Sequence, residues 1–220
     1  ILKTMPNEPN TLQLLGAFTK AVGDVTQAEK YLRASLKADP KQPHVLNNLG
    51  NLYYNLEKYK DATACYEKAT NLQPAYADAW FNWAIMLSMQ EQYDKSIKFV
   101  QKAISYDPKQ AKFYNLLGLS FKRQENFQAA SEAFEKAVRL QPGYILAIHN
   151  LGTAYREMER YEDAIQCFNF VLNNKPDQVE TWESIGSLYH STGDFNRSIV
   201  AFSKLLELEP ENLTIHRALN

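Results

Sequence analysis

Prolines recur along this chain at one fixed interval. Seven of the nine prolines lie 34 residues apart, without an insertion or a deletion between them. A period of this length indicates a solenoid of helix–turn–helix units, because each unit buries its apolar face only against its neighbours. The prolines on this period are Pro6, Pro40, Pro74, Pro108, Pro142, Pro176 and Pro210.

Small residues follow the same period and mark a first helix in each unit. Large apolar residues stand four residues and one residue before the small one, and an aromatic residue usually follows three residues after it. This spacing gives one apolar helix face, and the small residue within it predicts close approach by a neighbouring helix. The small residues are Gly16, Gly50, Ala84, Gly118, Gly152 and Gly186.

A second helix is predicted in the remainder of each unit. An aromatic residue stands at its start in five units, a small residue follows three positions later, and the periodic proline ends the helix. Proline cannot continue a helix because it lacks the N–H and its ring clashes with the preceding turn. The aromatic residues are Tyr59, Tyr93, Phe127, Tyr161 and Phe195, and the small ones are Ala28, Ala62, Ser96, Ala130, Ala164 and Ser198.

These residues resemble the tetratricopeptide repeat family, and Leu46–Pro74 and Tyr114–Pro142 match its pattern at nearly every marked position. The resemblance implies an all-α, right-handed superhelical solenoid of antiparallel helix pairs, with a concave groove lined by the first helices. We expect residues 1–8 to be the tail of a preceding repeat and 213–220 to start a further helix. The six predicted repeats are 9–42, 43–76, 77–110, 111–144, 145–178 and 179–212.

Residues opposite the packing face of each first helix are the candidate lining of this groove. Aromatic and arginine side chains there are candidate energetic hot spots for a partner, although charged helix residues are also common on solvated surfaces. The candidate partner-binding residues are Asn47, Asn48, Asn51, Tyr54, Phe81, Asn82, Ile85, Asn115, Leu119, Lys122, His149, Asn150, Thr153 and Arg156.

Three asparagines in one register have two interpretations. Asn48, Asn82 and Asn150 are similar to the asparagine ladder in repeats of the O-linked N-acetylglucosamine transferase family. An amide carries both a donor and an acceptor and could bracket the backbone of an extended peptide. Alternatively, the three side chains satisfy contacts between repeats. The ladder is interrupted in the other units by Leu14, Leu116 and Ser184.

The carboxylate clamp found in chaperone co-factors of the family is not predicted here. That clamp requires a lysine at the fifth residue of a repeat, and no repeat of this chain has one. The residues at this position are Gln13, Asn47, Phe81, Asn115, His149 and Glu183.

Composition and motif searches argue against several other functions. The formal net charge of −1 predicts no nucleic-acid partner, and no apolar run reaches the ~18–20 residues that span a bilayer. No catalytic, cofactor or metal-binding motif is present. Cys65 and Cys167 share a register three units apart, roughly 30 Å at about 10 Å per unit, so we expect free thiols in the core.

The sequence therefore predicts a non-catalytic scaffold that binds a protein or peptide ligand in the groove. One alternative is a substrate-recruiting arm of a larger transferase or oxygenase. Another is an end-to-end self-assembling module that forms homodimers through exposed array ends. The chain begins without methionine, so we expect a fragment of a longer protein. No signal peptide is visible, and the compartment is unknown, with the cytoplasm favoured.

Overall fold

The computed structural model describes residues 8–210, and the predicted all-α fold is confirmed there. The predicted segment 213–220 and the end of the last repeat lie outside the described residues, as does the segment before Glu8. The described helices are α1 Pro9–Ala21, α2 Val25–Ala38, α3 Pro43–Asn55, α4 Tyr59–Leu72, α5 Ala77–Met89, α6 Tyr93–Tyr106, α7 Ala111–Arg123, α8 Phe127–Leu140, α9 Ile145–Glu157, α10 Tyr161–Asn174, α11 Val179–Ser191 and α12 Phe195–Leu208.

The helices form two compact units, residues 1–109 with α1–α6 and residues 110–220 with α7–α12. We call them unit 1 and unit 2. Within each unit, the two helices of every pair pack on each other, and the second helix of a pair contacts the first helix of the next pair. First helices also lie side by side, α3 against α5 in unit 1, and α7 against α9 and α9 against α11 in unit 2.

Each pair turns on a residue in the left-handed backbone region. In the turn after α7, Glu125 has a φ of 59°, and its N–H donates to the carbonyl of Lys122 at 3.0 Å. The next N–H, of Asn126, donates to the carbonyl of Phe121 at 3.0 Å. These two bonds form a Schellman motif, which satisfies helix-end carbonyls. The other left-handed residues are Gly23, Glu57, Glu91, Glu159 and Gly193.

In the five described repeats whose first helix carries a glycine in this register, the glycine makes room for a large side chain from the second helix of the same pair. A Cβ atom added to Gly118 would lie 2.6 Å from Cε1 of Phe134, and one added to Gly50 would lie 2.7 Å from Cε1 of Tyr66. Both distances are far below van der Waals contact, so only glycine allows the ring to lie there. The predicted close approach is therefore explained by the ring of a specific partner.

Each unit has its own core. In unit 1, Leu32, Leu52 and Tyr66 belong to one cluster and are 1% exposed. In unit 2, Phe134, Phe168 and Leu188 belong to another cluster and are 0% exposed. Among the described residues, every buried side-chain nitrogen or oxygen has a hydrogen-bond partner, and none of the described helices is long and apolar enough to cross a membrane.

Candidate functional site

The first-helix surface of unit 1 contains an asparagine pair that joins two repeats. Nδ2 of Asn82 on α5 donates to Oδ1 of Asn47 on α3 at 2.9 Å. Asn47 is 4% exposed, and its own Nδ2 donates to the hydroxyl of Tyr76 at 3.4 Å. Asn51 lies one turn further along α3 and accepts a hydrogen bond from the hydroxyl of Tyr66 at 2.8 Å. These amides thus hold α3, α4 and α5 in one arrangement.

The same pairing recurs in unit 2. Nδ2 of Asn150 on α9 donates to Oδ1 of Asn115 on α7 at 3.1 Å, and both residues are buried. In both pairs the partners are 35 residues apart, one repeat plus one residue. The contact between repeats is thus present for Asn82 and Asn150, and Asn82 is half-buried, as is Asn48 on α3. Buried amides bonded in this way position the surface and offer a ligand little area.

Three of the six half-buried candidates of unit 1 are aromatic or aliphatic, and the other three are asparagines. Tyr54 on α3 has its ring centroid 6.3 Å from that of Tyr59, and burial raises the pKa of its hydroxyl. Phe81 and Ile85 lie one turn apart on α5 and are half-buried. Apolar side chains of this kind can release water when a ligand covers them.

Two of the five half-buried candidates of unit 2 are cations. Lys122 lies in the last turn of α7, and Arg156 lies in the last turn of α9. Burial lowers the pKa of the Lys122 ammonium, and the positive charges of Arg123 and Arg156 lower it further. Leu119 is half-buried one turn earlier on α7 and adds an apolar contact area.

His149 is held beside this cationic group by neighbouring helices. Its Nδ1 shares a hydrogen bond of 2.9 Å with Oγ1 of Thr181 on α11, and its ring lies 5.6 Å from that of Phe168 on α10. Burial lowers the pKa of His149, with a further contribution from the charge of Lys122. Thr153 donates its hydroxyl to the His149 carbonyl at 3.1 Å. Both effects favour the neutral form of the imidazole.

Thr181 was not among the predicted site residues, although the sequence holds a signal for it. Its register is occupied in the other described repeats of unit 2 by Phe113 and Ala147, and all three side chains are buried. A single polar residue in an otherwise apolar, buried register needs a hydrogen-bond partner. That partner is His149 on the preceding first helix.

A strip of exposed apolar side chains follows α1 and its C-cap residue, Val22. Leu14, Phe18 and Val22 follow one another at intervals of four residues and are 68%, 65% and 63% exposed. In α3 and α5 the register of Phe18 is occupied by Leu52 and Met86, both 1% exposed. The register therefore packs between repeats in α3 and α5 and is open to solvent in α1. We call Leu14, Phe18 and Val22 the α1 strip.

The described cysteines and metal-ligand residues do not assemble a reactive centre. Cys65 and Cys167 are free thiols, and burial raises the pKa of each to about 11. Both thiols are therefore protonated at neutral pH and react slowly. In the part of the chain that the structure describes, no group of three or more His, Cys, Asp or Glu residues could hold a metal ion.

Sequence profiles of known families match most of these helices. Residues 71–185 match the C-terminal ARM domain of tetratricopeptide repeat protein 21, just over half of the chain. Residues 43–76 and 179–212 each match a tetratricopeptide repeat, with the bounds of the second and sixth predicted repeats. The chain belongs to the tetratricopeptide repeat family. Within that family, tetratricopeptide repeat-containing protein trd-1 of Caenorhabditis elegans is 39% identical over 56 residues, which are 26% of this chain and 7% of the worm protein.

Solved structures of tetratricopeptide repeat proteins share the fold. The chain is similar to pilF of Pseudomonas aeruginosa, with a TM-score of 0.83, 20% identity and 96% of both chains covered. A chain of the APC/C hetero-tetramer Cut9–Hcn1 gives a TM-score of 0.79 and 17% identity. The match covers 99% of this chain and 43% of that one. YrrB, described as having an unusual peptide-binding site, gives a TM-score of 0.72 and 18% identity. The match covers 85% of this chain and 96% of YrrB. At these identities, the likeness shows a common fold.

Proposed function

We propose that this tetratricopeptide repeat array is a protein-interaction scaffold that binds an extended peptide or a partner segment on its first-helix surfaces. The observation that carries the proposal is that side chains on these surfaces are already held across neighbouring helices. Asn82 with Asn47, Asn150 with Asn115, and His149 with Thr181 are each joined by a hydrogen bond between different helices.

Such preorganisation favours binding because less side-chain freedom is lost when the ligand arrives. The buried amides fix the helices, and the half-buried residues beside them supply the contact area. In unit 1 these are Tyr54, Phe81 and Ile85, and in unit 2 they are Leu119, Lys122 and Arg156. The mixture of aromatic, aliphatic and cationic groups suits a peptide better than a small apolar molecule. The peptide-binding site described for YrrB, which has a similar fold, also supports a peptide as the ligand.

Selection from a random peptide library on the full chain tests this proposal. We expect binders of around micromolar affinity, about −8 kcal/mol. The variants Ile85→Ala and Leu119→Ala, one in each unit, are each expected to weaken some of these binders at least fivefold. Phe170→Ala is the matched control, because Phe170 is an exposed apolar residue on the second helix α10.

Circular dichroism must first show that the variants keep the helicity and melting temperature of the parent chain. Peptides that lose affinity with Phe170→Ala but keep it with both first-helix variants would place binding on the second helices. The proposal would then be abandoned.

A second candidate function is self-assembly, favoured by the α1 strip. The register of its central residue, Phe18, is buried between repeats at Leu52 and Met86, so this part of the strip has the chemistry of a stacking face. On α12, Phe195, Ile199 and Val200 are 58%, 53% and 67% exposed and offer an apolar counterpart on a second copy of the chain. Such head-to-tail contact is heterologous and would continue beyond a dimer unless the ends close.

A further inference from the structure

A row of basic residues crosses the first-helix surface of unit 2. Lys122, Arg156 and His190 occupy the same register, 34 residues apart, and each lies in the last turn of its helix, α7, α9 or α11. Because α7 packs against α9 and α9 packs against α11, the three residues follow one another across the surface. We call Lys122, Arg156 and His190 the basic row.

Helix stability accounts for only part of this arrangement. A cation in the last turn of a helix offsets the partial negative charge of the helix end, and an exposed side chain such as Arg123 can do this. Lys122 is half-buried instead, and desolvation lowers the pKa of its ammonium group, because removing this charge from water costs free energy unless an anion compensates it. The need for a helix-end cation therefore does not explain the burial of Lys122.

No carboxylate of the described residues forms an ion pair with Lys122. The acidic residue nearest in sequence to Arg156 is Glu157, and its carboxylate is 2.7 Å from the Arg156 guanidinium. Arg123 and Arg156 both repel the Lys122 charge, and their effect exceeds the attraction from Glu157. The surface around Lys122 therefore has an excess of positive charge that an incoming anion would neutralise.

The same positive charges act on His149, which lies on α9. Lys122 on α7 and Arg156 on α9 both lower its pKa, whereas Glu180 on α11 raises it. The side chain that packs against it from α10 is the uncharged Phe168. A carboxylate bound at the basic row would thus act on two cations and on one nearby titratable group.

We propose that the basic row binds an acidic segment of an extended peptide whose carboxylates recur at every third residue. The spacing follows from the helices: packed neighbours lie about 8–10 Å apart. A peptide in the extended polyproline II conformation advances about 3.1 Å per residue and completes one turn in three residues, so every third side chain lies on the same face, about 9 Å further on. This inference rests on the proposed peptide-binding function and specifies the chemistry of the ligand.

Binding of labelled peptides to the full chain tests the inference. The first peptide is extended and has glutamates at positions i, i+3 and i+6, and the second has the same composition with adjacent glutamates. A third carries lysine, and a fourth carries phosphoserine, in place of each glutamate. We expect the first peptide to bind at least fivefold more tightly than the second at low salt, and more weakly as salt is added.

Lys122→Met removes the charge and keeps most of the aliphatic stem. We expect it to weaken the first peptide about tenfold, since charge-assisted contacts of half-buried cations are strong. Lys136→Met is the matched control, because Lys136 is exposed on the second helix α8. Equal losses with both variants, or equal affinity for the glutamate and lysine peptides, would overturn the inference. Binding of the phosphoserine peptide alone would overturn the assignment of carboxylates.

A second readout is independent of affinity. Bound carboxylates should raise the pKa of His149, measured by NMR titration of its ring protons, and Lys122→Met should reduce this rise. An unchanged His149 pKa in the saturated complex would place the peptide elsewhere. If the library yields only neutral binders that depend on Ile85 or Leu119, the inference fails while the proposed scaffold function remains.

Discussion

At the glycine register, a larger residue on the first helix is accompanied by a smaller residue on the second helix. Four of the six described repeats pair a glycine with an aromatic ring 16 residues later, as in Gly118 with Phe134. In the third repeat the glycine register is occupied by Ala84, and the residue 16 positions later is Val100, which is 0% exposed. The added methyl group of alanine is thus accompanied by a smaller partner, as expected where core volume is conserved.

This volume compensation predicts strong coupling between Gly118 and Phe134. Gly118→Ala should destabilise the chain by about 1–3 kcal/mol, because its Cβ would lie 2.6 Å from the Phe134 ring. Adding Phe134→Val should recover part of that loss, so that the double variant is more stable than the two single effects predict by at least about 1 kcal/mol. Urea denaturation measures all three variants.

The control for this cycle is Gly143→Ala. A Cβ atom at Gly143 would meet nothing within 4 Å, so we expect a change within about 0.5 kcal/mol. Additive effects of Gly118→Ala and Phe134→Val would show that the ring moves away freely, and the volume argument would fail.

For two tryptophans, the sequence pattern predicts the register but not the burial or the hydrogen bond of the indole. The 34-residue period places Trp80 and Trp182 in one register of the apolar packing face of the first helices, a position typical of core residues. Both are half-buried, and each indole Nε1 donates to the carbonyl of the periodic proline six residues earlier, Pro74 or Pro176, at 2.8 Å. An indole is too large to be buried completely with ease, and its N–H needs an acceptor. A pattern of apolar residues does not show which carbonyl accepts this hydrogen bond.

At the scale of helices and turns, left-handed glutamates are the least favourable local feature. A residue with a side chain pays roughly 1–2 kcal/mol in this backbone region, and glycine avoids that cost. Gly23 and Gly193 occupy the register in the first and last described repeats, and Glu57, Glu91, Glu125 and Glu159 occupy it in the other four. The Schellman bonds are made in either case.

Glu125→Gly is therefore expected to stabilise the chain. The gain should be about 0.5–1 kcal/mol, because relief of backbone strain exceeds the added entropy of the unfolded glycine. Lys136→Gly, at an exposed position inside α8, should instead cost about 1 kcal/mol. Thermal and urea unfolding compare the two. A loss of stability with Glu125→Gly would mean that the glutamate side chain contributes more than the strain costs.

The asparagine pairs could not be assigned from the sequence for a geometric reason. The alternatives differed in whether the amide meets a ligand or another repeat. The answer depends on the offset between stacked helices, which pairs residues separated by one repeat plus one residue, as in Asn82 with Asn47 and Asn150 with Asn115. A 34-residue pattern shows which residues share a register, but it does not show this offset.

At the scale of the whole molecule, periodicity was enough to predict the fold. Helix faces, small residues and terminating prolines repeat together, so all-α pairing followed from local chemistry, and the structure confirms it for residues 8–210. The surfaces were harder to predict, because exposure depends on what packs against each face. Phe18 of the α1 strip shares its register with the buried Leu52 and Met86, yet it is itself 65% exposed.

The α1 strip predicts association at high concentration. Light scattering should show dimers or larger species that increase with concentration, and Phe18→Glu should abolish them, because a charge there cannot be buried without a partner. Tyr106→Glu is a control at an exposed aromatic position on α6. A strictly monomeric chain at millimolar concentration would exclude self-assembly through this strip.

The tryptophans also allow unfolding of the protein to be followed by its intrinsic fluorescence. Trp182 is the one tryptophan of unit 2, whereas Trp80 and Trp83 lie in unit 1 with their rings stacked 5.9 Å apart. In a Trp182→Phe chain, indole fluorescence originates from unit 1 alone, and the difference from the parent isolates unit 2. Unfolding of the two units can therefore be followed separately in one intact polypeptide, without an attached dye.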